Sequence, residues 1–243
     1  MGEITGIDWT DHTFNPWWGC TIVNEDCFNC YAMRDSKRYG FDLWGAGKTR
    51  RTFGENHWKQ PLLWNAAAEK EQRKHRVFCA SMADVFDVDG PEIERERLFR
   101  LIRTTPWLQW QILTKRPDRM RDYLNALPGA PWPNIWAIVS AGNQERLDAF
   151  APILREVKAV VRGISWEPSL GPINIAAYPW LDWIIGGDES GPKHRDASED
   201  WYRSVRDQTQ QLGVSFFLKQ FIRDGKKVHT PKLDGQSWMQ YPA

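Results

Sequence analysis

Six short apolar, β-type runs at 77–82, 109–114, 135–140, 160–165, 182–187 and 214–219 constrain this chain more than any other feature. Their starts lie 22 to 32 residues apart, too far for hairpins and far enough for crossover helices that return the chain parallel to itself. The segments between them supply such helices. Met120, Tyr123, Leu124 and Leu127, and then Leu147, Phe150, Leu154 and Val157, repeat at helical spacing with charged residues opposite. Pro91 and Pro117 stand where a first helical turn begins, a position that tolerates the missing N–H. With a further strand around 13–18, the pattern predicts an α/β fold, with six to seven parallel strands in a partial or distorted (β/α) barrel.

A chain of 243 residues, 42% of them hydrophobic, buries one substantial core without a second domain. One barrel domain over 1–243 is therefore expected, carrying a cysteine-rich loop at 18–32 and a basic, aromatic insertion at 34–60. Many of the 15 tryptophans, Trp107, Trp110, Trp136 and Trp183 among them, fall on apolar faces and read as core. The charge is balanced at 32 basic against 31 acidic residues, so any contact with nucleic acid or a membrane has to be local. No basic-then-apolar leader opens the chain, and no apolar run approaches the roughly 18 residues of a spanning helix. A cytoplasmic protein without a membrane partner is the expectation.

In barrels and open parallel sheets, active sites are built from the loops at the carboxyl ends of the strands. Here those ends are polar: Ser81-Met82-Ala83-Asp84, Thr114-Lys115-Arg116-Pro117, Ser140-Ala141-Gly142-Asn143, Ser165-Trp166-Glu167-Pro168, Gly186-Gly187-Asp188-Glu189-Ser190-Gly191 and Lys219-Gln220. Any one of them serves equally well as an ordinary turn or helix cap. Six converging on one mouth point to a ligand pocket. The glycines after 182–187 allow a close backbone approach, and Glu189 is placed to meet a hydroxyl or amino group.

Cys20, Cys27 and Cys30 form a C-x6-C-x2-C cluster, and Cys79 stands alone. Clustered thiols in a reducing compartment read as metal ligands. Three thiolates suit a 4Fe-4S cluster with one open iron, or a zinc completed by Cys79 or a histidine, of which His12 is nearest in sequence. Cys79 itself reads more readily as a small buried core residue than as a ligand. The insertion sets Arg34, Lys37, Arg38, Lys48, Arg50, Arg51 and Lys59 among Tyr39, Phe41, Trp44, Phe53 and Trp58, a composition of phosphate or single-strand surfaces and also of a solvated loop over aromatics.

Taken together, these blocks resemble the phage-associated three-cysteine-motif proteins, a radical-SAM-like family. The likeness covers nearly the whole chain, from Ile7-Asp8-Trp9-Thr10 and Phe14-Asn15-Pro16 through Gly19-Cys20 and Cys30-Tyr31-Ala32, Ser81 to Phe86, Leu113 to Pro117, Glu167-Pro168 with Leu170 to Ile173, Gly186 to Pro192, and Phe216 to Gln220. It implies a radical-SAM-like barrel with a 4Fe-4S cluster on Cys20, Cys27 and Cys30, S-adenosylmethionine as cofactor, an external electron donor, and a nucleotide or nucleic-acid substrate. The C-x6-C-x2-C spacing departs from the usual C-x3-C-x2-C, Asn29 replaces an aromatic residue before the last cysteine, and the Gly-Gly-Asp-Glu group comes after a late strand. Trp166 also alters the pattern before Glu167.

Under this reading Glu167, Glu189 and Lys115 are the catalytic candidates. Ser81, Asp84, Ser140, Ser165, Gly186, Gly187 and Glu189 line the cofactor pocket, while Arg116, Lys219, Gln220, Arg34 and Lys37 meet the substrate. The alternative is a zinc-stabilised nucleic-acid-binding protein that uses the basic insertion and performs no redox chemistry.

Overall fold

The computed structural model describes residues 5–243. Each predicted apolar run yields a strand, because parallel strands covered on both faces need side chains that are apolar throughout. In sequence order they are β1 (His12–Thr13), β2 (His75–Cys79), β3 (Leu108–Thr114), β4 (Ile135–Ser140), β5 (Val161–Trp166), β6 (Trp183–Gly187) and β7 (Ser215–Arg223). All seven run parallel, each beside its sequence neighbour, and β8 (Lys226–His229) closes the order antiparallel to β7. Following the cysteine loop come α1 (Tyr31–Arg38) and α2 (Glu55–Trp58), then the crossover helices α3 (Gln60–Glu71), α4 (Glu92–Arg103), α5 (Pro117–Ala126), α6 (Gln144–Arg155) and α7 (Glu199–Leu212). Pro117 opens α5, Asn143 caps α6 by accepting from the Arg146 N–H at 2.9 Å, and Gly213 ends α7 in the left-handed region.

The first strand is shorter than the expected 13–18. Phe14 still donates to the Phe78 carbonyl at 2.9 Å, but Pro16 has no N–H, and the Asn15 side chain instead accepts from the Met82 N–H at 2.7 Å. The chain therefore leaves the sheet and bonds to the β2–α4 loop. β8 was not anticipated. It follows a two-residue turn in which both Asp224 (φ 50°) and Gly225 (φ 69°) are left-handed, the Asp-Gly hairpin geometry, and Asp234-Gly235 repeats it between β9 (Lys232–Leu233) and β10 (Gln236–Ser237).

Alternation along the strands sorts two cores. Val77, Cys79, Trp110, Ile112, Ile164 and Phe216 face outward onto the helices, where Leu98, Ile102, Met120, Leu147 and Val205 meet them. Trp9, Phe78, Trp136, Ile138, Trp183 and Phe217 face inward and form a second cluster. Its indoles meet edge to face, with ring centroids 5.8 Å apart for Trp9–Trp183 and 5.6 Å for Trp136–Trp183, so they plug the amino-terminal half of the curl. No ladder joins β8 to β1 among the described residues. The seam is bridged by side chains: His229 meets Asp8 at 2.9 Å, and the Arg76 guanidinium lies 3.6 Å from the Tyr241 ring centre. The result is a partial (β/α) barrel, open along one side.

Candidate functional site

Above the indole plug, the carboxyl ends of the strands surround a cavity. Trp9, Phe78 and Leu113 form its floor, Lys115, Ser165, Glu167 and Lys219 its walls, and Cys20, Cys27, Cys30 and Asn29 its cover. Five of the six polar strand endings reach it, as expected of this architecture.

The cysteine loop is fitted to that position by glycines on both sides. Gly19 adopts φ +111°, and a β-carbon there would fall 2.6 Å from the Leu43 carbonyl oxygen. Asn24 accepts from the Asp26 N–H at 3.1 Å and caps a single 3-10 turn, Glu25–Cys27. Asp26 then accepts from the Gly142 N–H at 3.1 Å, and Glu25 pairs with Arg146 at 2.8 Å, docking the turn on the β4–α6 connection. All three thiols are free and line the cavity. Burial, reinforced by Asp84, pushes the Cys20 thiol up to about 12, and burial likewise raises Cys30. As isolated thiols they hold their protons, and a metal has to displace them. Among the described residues, no three His, Cys, Asp or Glu side chains are gathered as they must be around a single ion.

Of the fourth-ligand candidates, neither Cys79 nor any of the five histidines lines the cavity. Cys79 is fully buried and faces the helices among core side chains. His12 lies at the amino-terminal end of the sheet, 3.1 Å from a ring nitrogen of His75 and stacked on Trp64.

The charged candidates hold one another in place. Lys219 donates to Glu167 at 2.5 Å, and Gln220 approaches the same carboxylate oxygen at 3.4 Å. Gln220 is fully buried and also donates to Ser190 Oγ at 2.7 Å, so it braces the loop from behind and does not meet substrate as expected. Glu189, expected to be open to a ligand, is ion-paired with Arg195 and accepts from Asn29 Nδ2 at 2.8 Å. Burial raises its carboxyl, but the Arg195 and Asn29 hydrogen bonds outweigh this and hold it below the ordinary value. The inserted Asp188 turns the other way, accepting from Tyr202 at 2.5 Å and from the Ile222 N–H at 2.6 Å. Asp84 accepts from Thr114 at 2.7 Å, from the Lys115 N–H at 3.1 Å and from Arg116 at 2.7 Å. Arg116 pairs with Asp84 and Asp87 and donates to the Thr21 carbonyl, so it is not turned toward an incoming oxyanion. Lys115 alone of these cations lines the cavity without a carboxylate at ion-pair distance among the described residues, and its charge favours the ionised forms of Asp26 and Cys30.

The remaining candidates divide by distance from the opening. Ser81 and Ser165 line it. Ser140 is fully buried behind it and donates to the Glu167 carbonyl at 3.1 Å. A β-carbon on Gly186 would face Tyr202 at 3.3 Å, in the helical layer, while one on Gly187 would approach Gln220 at 3.4 Å and Glu167 at 3.6 Å, so these glycines allow packing and do not touch the cavity. Arg34 lies against Gly191 and Lys37 is exposed on α1; neither lines the cavity. Asp26, Asn29 and Arg195 were missed. The first two sit between the cysteines, and that placement was the available signal.

Two of the seven basic residues of the insertion, Arg50 and Arg51, turn inward, and the other five are exposed. Arg50 is 1% exposed and donates to Asp87 and to the Leu43, Gly45 and Lys48 carbonyls. Arg51 stacks within 4.3 Å of the Phe41 ring centre and 4.8 Å of Trp18. The charges of these two hold the loop together and are not free to meet a ligand, whereas Arg34, Lys37, Arg38, Lys48 and Lys59 are exposed.

The chain belongs to the family described as protein of unknown function (DUF5131), whose model matches residues 4–242. No curated protein matches it in sequence. Among solved structures, a mutant spore photoproduct lyase with bound AdoMet and dinucleoside spore photoproduct aligns with TM-score 0.50 and 14% identity, over 90% of this chain and 61% of that one. A second mutant of spore photoproduct lyase aligns with TM-score 0.48 and 14% identity, over 93% of this chain and 62% of the other. The chain thus spans about three fifths of the length of these structures, and the likeness is one of fold.

Proposed function

We propose that this chain is a radical-SAM-type enzyme that holds a 4Fe-4S cluster on Cys20, Cys27 and Cys30 and binds S-adenosylmethionine beside it. The observation that carries the reading is that three free cysteines of one loop open onto a single cavity at the carboxyl ends of a curled parallel sheet. The fold-related lyase with AdoMet and a dinucleoside bound lends support for the cofactor and for a nucleotide or nucleic-acid substrate. The donor set fits a cluster better than zinc. A structural zinc takes four protein ligands, whereas the cavity is lined by three cysteines and by neither Cys79 nor a histidine, the donor set of a cluster that keeps one iron open.

When bound, such a cluster and its cofactor supply one-electron chemistry that yields a carbon radical able to take hydrogen from substrate. The chain's own part is to bind, orient and keep water out. Trp9 and Phe78 offer an apolar floor, and the indole plug below them closes the barrel to solvent. Lys115 offers an unpaired ammonium for a carboxylate or phosphate. Glu167, fixed through one oxygen by Lys219, presents a carboxylate at the wall, and Ser81 and Ser165 add hydroxyls. Anaerobic reconstitution with iron and sulfide tests the reading. The protein should develop broad visible absorption and, once reduced, cleave S-adenosylmethionine to 5′-deoxyadenosine. A variant with all three cysteines changed to alanine that keeps the same absorption overturns it.

A further inference from the structure

The three cysteines are not equivalent. The Cys27 sulfur has the Asn24 amide oxygen at 3.8 Å, whereas the Cys20 sulfur faces Nη1 of Arg116 at 3.7 Å. Arg116 is buried, and its fork is fully directed. Nη1 donates to Asp84 at 2.7 Å, and Nη2 donates to the Thr21 carbonyl at 2.8 Å and to Asp87 at 3.1 Å. Asp87, itself fully buried, takes two further N–H groups from Arg50 at 2.9 and 2.7 Å. Arg50 in turn donates to the Thr21 hydroxyl at 2.8 Å. Two buried guanidiniums therefore grip Thr21, the residue next to Cys20, through its carbonyl and its side chain. The two arginines and the two aspartates already neutralise one another. Charge balance alone accounts for none of the aim toward sulfur, since a lysine would neutralise Asp84 equally well without reaching four acceptors in one plane.

We propose that Arg116 is a positioning residue for the metal centre: its fork sets the approach of Cys20 through Thr21 and donates an N–H to the Cys20 sulfur once that sulfur is a thiolate ligand. This rests on the cluster reading above. Partners of ligating side chains orient them and tune the metal, and a donor to a ligand sulfur draws off negative charge and raises the reduction potential. Asp84, Asp87 and Arg50 hold the fork at the angle this requires.

Two substitutions separate the role from mere support of the fold. Arg116→Lys keeps the charge and loses the fork, while Arg50→Lys removes the neighbouring fork without touching the sulfur. After anaerobic reconstitution, Arg116→Lys should have a lower midpoint potential than the wild type and lose iron to a chelator about 10- to 100-fold more readily, with a smaller midpoint shift in Arg50→Lys, which loosens Thr21 but keeps the N–H on the sulfur. An unchanged midpoint in Arg116→Lys, or an equal shift in Arg50→Lys, overturns the proposal. If the lysine variant does not fold, Arg116→Gln is read in the same way. Iodoacetamide labelling of the metal-free protein, followed by peptide mass spectrometry, gives an answer that needs no cluster. The reactivity of Cys20 relative to Cys27 and Cys30 should change in the Arg116 variant, and a ratio equal to that of the wild type overturns its positioning role. A wild-type protein that takes up neither iron nor sulfide defeats the cluster reading instead, and the labelling still decides whether Arg116 holds Cys20.

Discussion

Replacing Gly142 by alanine sets one methyl group where the cysteine turn meets the sheet. The new β-carbon would lie 2.6 Å from Asp26 Oδ1 and 2.8 Å from the Pro168 carbonyl oxygen, closer than real β-carbons come to their neighbours. Neither atom is the tip of a flexible chain, because Asp26 is held in the 3-10 turn and Pro168 contributes backbone. Overpacking of this kind costs about 1–3 kcal/mol. If Asp26 gives way, its hydrogen bond from the Gly142 N–H goes too, adding roughly 1.5–3 kcal/mol for a charged acceptor. A total of about 2.5–6 kcal/mol lowers the melting temperature by about 5–24 °C in a chain of this length. Gly171→Ala is the matched control. Its nearest neighbour is Asn143 Cβ at 3.7 Å, an ordinary contact, so it should stay within about 0.5 kcal/mol of the wild type. Urea and thermal unfolding measure both, and iodoacetamide labelling of Cys27, which adjoins Asp26, shows whether the turn has moved. Gly142→Ala unfolding with Gly171→Ala, while Cys27 keeps its wild-type rate, would refute the docking argument.

Other outcomes follow from the same geometry. Cys79→Ala should leave the iron-dependent absorption intact and cost about 1 kcal/mol, the scale of losing one buried methyl-sized group; lost absorption would make Cys79 a ligand after all. The hydrogen bond from Arg146 lowers the Glu25 carboxyl from 4.5 to about 2. A depressed carboxyl stabilises the fold above its unfolded value, so this contribution is complete above pH 4.5 and is lost as pH falls through about 2. Carboxyl NMR titration should show the Glu25 midpoint rising toward 4.5 in Arg146→Ala, and an unmoved midpoint would remove Arg146 as the cause.

Much of this architecture was legible in the residues. The spacing of the apolar runs carries the parallel order, and five of the six strand ends found by that spacing meet at one mouth. The cysteine triplet and Lys115 open there as their positions suggested. Composition showed which charges stand near the mouth and not which are already engaged. Asp84 and Arg116 lie 32 residues apart and Glu167 and Lys219 lie 52 apart, so their pairing is a product of the folded sheet. The same holds for Arg50 and Arg51, which look like ligand contacts until the fold supplies Asp87 and a ring of aromatics. The hairpins at 223–226 and 233–236 were missed because parallel periodicity does not carry antiparallel additions; their Asp-Gly pairs were the available signal.

A cylinder stitched shut by backbone bonds has a fixed girth. This one is fastened along one edge by His229 on Asp8 and Arg76 on Tyr241, so widening it breaks no ladder. The width of the bore is therefore set on that side by two side-chain contacts and not by a row of amide bonds.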